Sequence, residues 1–241
     1  MRKLLENAEH ILIGGHRGCS CEYPENSIAA MEEGIRRGAS YLEIDVQLTK
    51  DGVPVIYHDV HLEEKTPLHG YVHEVEYAQM KENVEGLCTL EEAMQWGAEN
   101  QAYFGLELKT TAYDMQRYSM KLIPLVSEIL KKTKMTDNVF VFSIDYQLLK
   151  ELRKIDAQVP IGLIVPHVPA DPVALMKEMD ALVYLSYLSN MTPEIIEEVQ
   201  KAGYYVSGSV LKDRHWIEEA LKCKVNMFES DNPEKAIPLC R

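Results

Sequence analysis

The sequence has little positive charge and no long hydrophobic run. Its 25 Lys and Arg residues are outnumbered by 38 Asp and Glu residues, which gives a formal net charge of −13. Nucleic acids and anionic membranes bind to basic surfaces, so we expect neither as a partner. No segment approaches the roughly 18 apolar residues of a membrane-spanning helix, so no membrane span is expected. An anionic small molecule remains a candidate substrate, because local cations or a metal ion can offset the acidic field.

Cysteine is scarce, with an odd count of five and no framework spacing. Secreted domains stapled by disulfides carry even sets of cysteines, so we predict reduced thiols and a cytoplasmic location. The first residues become polar too early for a signal peptide, which agrees with that location. Cys19 and Cys21 form a Cys-x-Cys pair. One interpretation is a pair of thiolates that binds a metal or is redox-active, and the other is two small residues in a loop. No second Cys or His pair has the spacing of a zinc site.

Low-complexity runs, linkers and internal repeats are also absent, so residues 1–241 are predicted to form one domain. Short apolar runs alternate with longer amphipathic segments, which indicates an α/β fold with a parallel sheet. The length fits a TIM (β/α)8 barrel, which typically takes about 250 residues. A doubly wound open sheet is the rival, but no glycine-rich phosphate loop follows the first strand. The runs that predict strands are 11–14, 41–46, 53–57, 103–108, 139–142, 161–165, 181–185, 204–206 and 225–228.

Nine runs are one too many for a closed eight-stranded barrel, and we predict that the run 53–57 is not a barrel strand. Asp51-Gly52 is a hairpin turn signal just before it. This run follows the preceding one too closely for a helical crossover, which takes a dozen or more residues. We therefore predict an antiparallel hairpin that brings His58 back beside residues 43–45.

Three segments carry helix boundary signals. Thr89 and Glu92 have the spacing of a capping box, in which each side chain satisfies the other residue's backbone N–H. Thr192 before Pro193 predicts a helix start, and Gly203 fits the left-handed position that ends a helix.

Three groups of polar side chains stand at predicted strand ends. They are His16 with Arg17 after the first strand, Glu43 with Asp45 on the second, and Glu107 with Lys109 on the next barrel strand. Residues two apart on a strand point to the same face, so the members of each strand pair share a face. In a TIM barrel, polar residues at the carboxyl ends of strands carry the chemistry.

Glu43, Asp45 and Glu107 would repel one another strongly on one rim, and a divalent cation would remove that repulsion. All-oxygen ligands select a hard ion, Ca²⁺ or Mg²⁺, with Mn²⁺ as a further candidate. The structural alternative treats Glu43 and Asp45 as solvated strand residues and Glu107 with Lys109 as a surface ion pair.

Arg17 and Lys109 place two cations beside this acidic group, which makes an anion site in an acidic protein. Arginine can donate two parallel hydrogen bonds to phosphate oxygens, and lysine acts as a point charge. The pair therefore favours a phosphate ester over a neutral substrate. Histidine is the side chain best suited to proton transfer near neutral pH, so His16 and His58 could serve as general acid and general base at phosphorus.

Further segments complete a set of motifs. The set is His16-Arg17-Gly18, Pro24-Glu25-Asn26-Ser27, Glu43-Ile44-Asp45-Val46, Thr49-Lys50-Asp51-Gly52-Val53-Pro54-Val55, His58-Asp59, Thr89-Leu90-Glu91-Glu92, Glu107-Leu108-Lys109, Ser143 and Asp231-Asn232-Pro233. Together these motifs resemble the glycerophosphodiester phosphodiesterase family. The resemblance is dense from 11 to 59, patchy afterwards, and extends to the C-terminal region.

The resemblance implies a TIM barrel that hydrolyses glycerophosphodiesters to sn-glycerol 3-phosphate and an alcohol. It implies one divalent metal and a catalytic set in this chain: Glu43, Asp45 and Glu107 on the metal, Arg17 and Lys109 on the substrate phosphate, and His16 and His58 as the acid/base pair. The substrate's own glycerol hydroxyl would attack phosphorus. Residues from about 58 to 87 would form a small insertion over the barrel mouth.

The chain departs from the family pattern at 206–210. The aromatic Trp-Thr-Val stretch of many members is replaced here by Val206-Ser207-Gly208-Ser209-Val210, which removes a large apolar wall near the substrate. Two other functions therefore remain as alternatives. One is a phospholipase D-like enzyme that acts on lysophospholipids and has an apolar access surface. The other is a non-catalytic barrel that binds a phosphodiester.

Overall fold

The computed structural model describes residues 1–110, 117–208 and 210–240. Nine strands within these ranges form one sheet. They are β1 (Leu12–His16), β2 (Tyr41–Leu48), β3 (Pro54–Ile56), β4 (Phe104–Leu108), β5 (Val139–Ser143), β6 (Ile161–Ile164), β7 (Val183–Ser186), β8 (Tyr205–Gly208) and β9 (Met227–Ser230). Each predicted strand coincides with one of these, with its ends within two residues.

Eight of the strands close into a parallel barrel. The order runs β1-β9-β8-β7-β6-β5-β4-β2, and pairing of β1 with β2 completes the ring. The prediction of a TIM (β/α)8 barrel is confirmed, and the open-sheet rival is wrong. Closure brings the carboxyl ends of β1, β2, β4 and β9 onto one side of the same rim.

The remaining strand, β3, forms the predicted hairpin. It pairs antiparallel with β2, where Val46 lies opposite Ile56 and Leu48 lies opposite Pro54. Gly52 turns the chain with a φ of +82°, a conformation that glycine adopts without strain. The hairpin continues as the Tyr57 N–H donates to the Asp45 carbonyl at 3.0 Å, which brings the next residue, His58, to the rim.

Helices alternate with the barrel strands. They are α1 (Arg2–Glu6), α2 (Ile28–Arg36), α3 (Tyr77–Asn83), α4 (Leu90–Glu99), α5 (Leu122–Thr133), α6 (Tyr146–Ile155), α7 (Pro172–Glu178), α8 (Pro193–Lys201), α9 (Arg214–Cys223) and α10 (Pro233–Ala236). The predicted capping box is present, since the Glu92 N–H donates to Thr89 Oγ1 and the Thr89 N–H donates to Glu92 Oε2. Among the described residues, no helix combines the length and the apolar character needed to cross a bilayer.

Two apolar layers hold the barrel together. The outer layer lies between strands and helices and contains Phe104 and Leu106, both fully buried. The inner layer fills the barrel itself and includes Tyr41 and Phe140, whose rings meet edge to face at 6.2 Å. The short helix α1, which sequence patterning did not predict, joins this inner layer through Leu5 and closes the barrel floor.

Between β3 and α4 the chain makes two 3₁₀ turns, Leu62–Glu64 and Val72–Glu74, before α3. Leu62 and Met80 are fully buried and pack with Val55 of the hairpin in a small separate core. This segment was expected to form the insertion at 58–87, and its start lines a cavity at the barrel mouth.

Candidate active site

A cavity of about 540 Å³ opens at the carboxyl ends of the strands. Six of the seven predicted site residues line it: His16, Arg17, Glu43, His58, Glu107 and Lys109. The seventh, Asp45, is 1% exposed and lies directly against Arg17 and Lys109. The structure therefore brings all seven predicted residues together.

The three predicted acidic residues converge because of strand register. Glu43 and Asp45 are two residues apart on β2 and share a face, while Asp45 lies opposite Glu107 on β4. One carboxylate oxygen from each of the three lies within 4.8 Å of the other two. Such a spacing suits a single small cation held between three oxygens.

The charges of this acidic trio are poorly balanced by its surroundings. Burial, followed by the neighbouring charges of Asp45 and Glu107, holds the pKa of Glu43 well above its usual range. Burial and the charge of Asp45 likewise raise the pKa of Glu107. Burial alone would raise the pKa of Asp45 as well, but nearby cations led by Lys109 lower it.

The trio fits a divalent cation by its donor chemistry. Glu43 Oε1 is buried and has no hydrogen-bond partner among the described residues. An unpaired buried carboxylate oxygen is costly, and a bound hard cation would satisfy it. A second group of potential metal ligands, Glu25, His58 and Asp59, already has a cation beside it, because Lys65 Nζ lies 2.7 Å from Glu25 and 3.0 Å from Asp59.

Asn26 holds Asp45 in place, a role that sequence reasoning missed. Its side-chain NH₂ donates to Asp45 Oδ2 at 2.8 Å, and its Oδ1 accepts from the Asp45 N–H at 3.2 Å. The next residue, Ser27, caps α2 by accepting from the Ala30 N–H. Asn26 has a φ of +61°, a left-handed conformation that asparagine tolerates better than most residues.

The two predicted cations bridge the acidic residues. Arg17 Nη1 donates to Glu25 at 3.0 Å, and its Nε lies 3.5 Å from Asp45 Oδ2. Lys109 Nζ lies 2.9 Å from Glu107 and 3.4 Å from Asp45. Both cations are also on the cavity wall, so an anion in the cavity would meet them next to the trio.

Each of the two predicted histidines is held by an aspartate. His16 Nδ1 lies 2.6 Å from Asp231 Oδ1, and His58 Nδ1 lies 2.6 Å from Asp59 Oδ1. An ionised carboxylate only accepts, so Nδ1 carries the proton in both pairs and Nε2 is left for the cavity. The hydrogen bond with His16 lowers the pKa of Asp231 to about 2.

Glu229 is a further acidic residue of the cavity that sequence reasoning missed. It lies on β9, accepts the Tyr41 hydroxyl at 2.6 Å and lies 3.4 Å from the Ser207 hydroxyl. Burial raises the pKa of Glu229. The signal in the sequence was the Glu229-x-Asp231 spacing at a strand end, which repeats the spacing of the pair on β2.

The opposite side of the cavity is apolar and includes two well-exposed side chains. Ile144 is 52% exposed and Tyr187 is 62% exposed, and Phe142, Pro166 and Val210 complete this wall. Val210 belongs to the stretch in which the family's aromatic motif is replaced. In that stretch Ser207 is fully buried beside Glu229, and Ser209 lies outside the described residues.

Known proteins of one family resemble this chain over most of its length. The profile of the glycerophosphoryl diester phosphodiesterase family matches residues 16–235. A glycerophosphodiester phosphodiesterase of Caldanaerobacter subterraneus is 27% identical over 241 residues, which cover 95% of this chain and 98% of the relative.

Solved structures show the same fold. A phosphodiesterase of Oleispira antarctica, whose structure holds the product sn-glycerol 3-phosphate, is 24% identical with a TM-score of 0.86, covering 95% of this chain and 96% of that one. A glycerophosphodiester phosphodiesterase of Thermotoga maritima is 23% identical with a TM-score of 0.79, covering 97% of this chain and 100% of that one.

Proposed function

The chain belongs to the glycerophosphoryl diester phosphodiesterase family, and from that premise we propose that it hydrolyses glycerophosphodiesters to sn-glycerol 3-phosphate and an alcohol. Family membership gives the enzyme class, a phosphoric diester hydrolase. One observation carries the substrate proposal: an acidic trio, two cations and two carboxylate-held histidines surround a single cavity.

Glu43, Asp45 and Glu107 are the proposed holders of one divalent cation, Ca²⁺ or Mg²⁺, with Mn²⁺ as a further candidate. When bound, such an ion stabilises the negative charge that develops on phosphoryl oxygens. Asn26 keeps Asp45 oriented toward this position through its two hydrogen bonds. The unpaired Glu43 Oε1 supports the assignment.

Arg17 and Lys109 are proposed to bind the substrate phosphate. Both line the cavity, and both are held beside the trio by ion pairs with its members. The guanidinium would offer paired N–H groups and the ammonium a point charge, which together orient the phosphate for attack.

His16 and His58 are proposed as the general acid and general base. The aspartate on each Nδ1 fixes the ring and directs Nε2 at the cavity. One histidine would remove the proton of the glycerol hydroxyl next to the ester, and the other would protonate the leaving alcohol. Because that hydroxyl is part of the substrate, no Ser or Cys nucleophile is needed. The resulting cyclic phosphate would then be opened by water.

We propose one domain over 1–241, with the segment 58–87 as an insertion at the mouth, and a small-molecule substrate as the binding partner. The irregular cysteine set supports a cytoplasmic location.

One observation favours a second candidate, a phospholipase D-like activity on lysophospholipids. The exposed Ile144 and Tyr187 on the cavity wall would suit the hydrocarbon chain of such a substrate. A non-catalytic phosphodiester-binding barrel is less favoured, because both histidines line the cavity with their orienting aspartates.

The test is an assay of glycerol 3-phosphate release from glycerophosphocholine and glycerophosphoethanolamine, with Ca²⁺, with Mg²⁺ and with a chelator. Lysophosphatidylcholine is run in parallel, with choline release as the readout. Metal-dependent release of glycerol 3-phosphate is expected. Faster turnover of lysophosphatidylcholine would favour the second candidate, and no turnover of any substrate by folded, metal-loaded protein would contradict both.

A further inference from the structure

The loop between β1 and α2 contains a pair of cysteines that the proposed catalysis does not use. Cys19 Sγ lies 3.5 Å from Cys21 Sγ. All five cysteines are in the described part of the chain, and there this is the one pair of sulfur atoms in hydrogen-bonding contact. A disulfide bond is about 2.05 Å long, so the two sulfurs need to approach by about 1.5 Å to form one.

The two thiols differ in access to solvent. Cys21 is exposed, whereas Cys19 is fully buried. Burial raises the pKa of Cys19 to about 12, so this thiol is a poor target for an oxidant arriving from solvent. Neither sulfur belongs to a metal-binding group among the described residues, which argues against a thiolate metal site. The arrangement suits an exposed thiol that reacts first and a buried thiol that closes the bridge.

The loop is fixed on both sides. The Cys19 N–H donates to the Ala30 carbonyl at 2.8 Å, which ties one end to α2. At the other end the Cys21 N–H donates to the Asp231 carbonyl at 3.3 Å, and Ser20 Oγ donates to Asp231 Oδ1 at 3.3 Å.

Asp231 Oδ1 is also the atom that accepts from His16 Nδ1. The residue between the cysteines therefore shares a hydrogen-bond acceptor with a proposed acid/base histidine. Drawing the two sulfurs together changes the backbone at Ser20 and Cys21, and both of these residues contact Asp231.

We propose that Cys19 and Cys21 are a redox site: a peroxide converts them reversibly to a disulfide, which displaces Asp231 from His16 and slows turnover. The effect on turnover rests on the proposed role of His16. Cytosolic disulfides of this transient kind usually serve in redox sensing or catalysis.

The chemistry balances with hydrogen peroxide as the oxidant. The Cys21 thiolate attacks one peroxide oxygen, the O–O bond breaks, and the released hydroxide takes up a proton to give water. Cys21 is then a sulfenic acid. Cys19 sulfur attacks the Cys21 sulfur, the S–O bond breaks, and the departing hydroxide combines with the proton that Cys19 loses. Two thiols lose two electrons in total, and one peroxide becomes two waters. A dithiol reductant reverses the change by thiol–disulfide exchange.

The disulfide itself is measured by mass spectrometry after peroxide treatment and blocking of free thiols. Trypsin releases residues 18–36 as one peptide, because Arg17 and Arg36 are the cleavage sites that bound it. The expected peptide has lost two hydrogen atoms and carries no blocking group. Cys21→Ser keeps the backbone N–H and is expected to abolish the bridge, while Cys223→Ser, which alters a cysteine far along the chain, is expected to leave it intact.

The link to His16 is measured in two ways on the same protein. Turnover with Mg²⁺ is expected to fall about 10- to 100-fold on oxidation and to recover with dithiothreitol, as when the carboxylate partner of a functional histidine is lost. The imidazole NMR signals of His16 are assigned by their absence in His16→Ala. Their chemical shifts are expected to change in proportion to the fraction of protein that has formed the disulfide. In Cys21→Ser, neither readout should respond to peroxide.

The proposal is overturned if the peptide 18–36 still carries both thiols, each blocked, after peroxide treatment. A disulfide that forms without a change in the His16 signals also overturns it. If the reduced protein shows no turnover, the phosphodiesterase function fails, and the His16 signals and the mass of the peptide still decide the redox proposal.

Discussion

At the scale of single residues, the acidic site depends on side chains that hold its members in position. Asn26 makes two hydrogen bonds to Asp45 at the bottom of the trio. The carboxylate would otherwise be free to turn toward Lys109, 3.4 Å away, and to leave its place beside Glu43. Orientation of a ligand by such a partner is worth a large part of a metal site's affinity.

Replacing Asn26 with glycine is therefore expected to weaken Mg²⁺ binding about 10- to 100-fold, measured by calorimetric titration. Glycine adopts the φ of +61° at this position without strain, so the change removes the side-chain contacts and spares the backbone. Gln101→Gly is the matched control, because Gln101 has a φ of +54°, is exposed and does not line the cavity. Equal Mg²⁺ affinity in Asn26→Gly would contradict the positioning role.

Much of the site was predictable residue by residue, because spacing of two on a strand and position at a strand end are properties of the sequence. The seven predicted residues meet around one cavity for this reason. Asn26 and Glu229 were missed for a different reason. Their partners, Asp45 and Tyr41, are 19 and 188 residues away in the chain, so only the closed barrel brings them into contact.

At the scale of elements, the short helix α1 contributes to the packing of the barrel interior. It has five residues, too few to show a helical period, and its signal in the sequence was weak. Its Leu5 is 5% exposed and packs with the inner barrel residues, so the helix closes the floor opposite the active site.

Leu5→Ala is expected to lower the free energy of unfolding by about 2–3 kcal/mol, because it leaves a cavity in the barrel floor. Urea denaturation measures the change. Glu6→Ala, at an exposed position of the same helix, is expected to change stability little. A loss as large in Glu6→Ala as in Leu5→Ala would contradict the packing role of Leu5, since alanine favours the helix at both positions.

At the element scale, a buried carboxylate joins α6 to α5. Asp156 ends α6 and is 5% exposed. It accepts from Ser127 Oγ at 3.1 Å and lies 3.0 Å from Lys131 Nζ, both on α5. Burial alone would raise the pKa of Asp156, but the hydrogen bond from Lys131 and the other donors lower it.

A carboxyl group whose pKa is lower in the folded state stabilises the fold above its unfolded pKa, about 3.9 for aspartate, and loses that effect as pH falls through the folded pKa. Asp156→Asn is therefore expected to cost about 1–3 kcal/mol of unfolding free energy at neutral pH. The difference from wild type should shrink as the pH is lowered through the acid range. Urea denaturation at successive pH values measures this, with the exposed Asp180→Asn as control. A difference that stays constant with pH would contradict the charge-based account.

Element prediction succeeded for the strands because each is a short apolar run buried on both faces, a pattern that depends little on context. The hairpin was predictable from the turn signal at Asp51-Gly52. The two 3₁₀ turns between β3 and α4 were not, because they depend on a small core that forms only when Leu62 and Met80 pack against the hairpin.

At the scale of the whole molecule, the chain is strongly acidic, and part of that charge is concentrated at the carboxyl-end rim of the barrel. Two buried carboxylates and one half-buried carboxylate face only two cations in the proposed metal and phosphate site, which leaves a net negative charge there. A ligand that binds only the folded state stabilises it, by about 2.7 kcal/mol at a concentration 100 times its Kd.

Mg²⁺ or Ca²⁺ in excess is therefore expected to raise the melting temperature of the wild-type protein, and a chelator is expected to reverse the rise. Thermal unfolding followed by circular dichroism measures the shift. Glu43→Gln serves as the comparison, since it removes one negative charge from the trio and its own melting temperature should respond little to the metal. An equal response of the variant would place the stabilising ion elsewhere.

The most direct test of the central claim is a calorimetric Mg²⁺ titration of Asp45→Asn beside the wild type. Asparagine matches aspartate in shape but lacks the charge, so the account predicts Mg²⁺ affinity lower by about tenfold or more, with turnover of glycerophosphocholine falling in parallel. Mg²⁺ affinity equal to that of the wild type would contradict the assignment of Asp45, with Glu43 and Glu107, as the metal site.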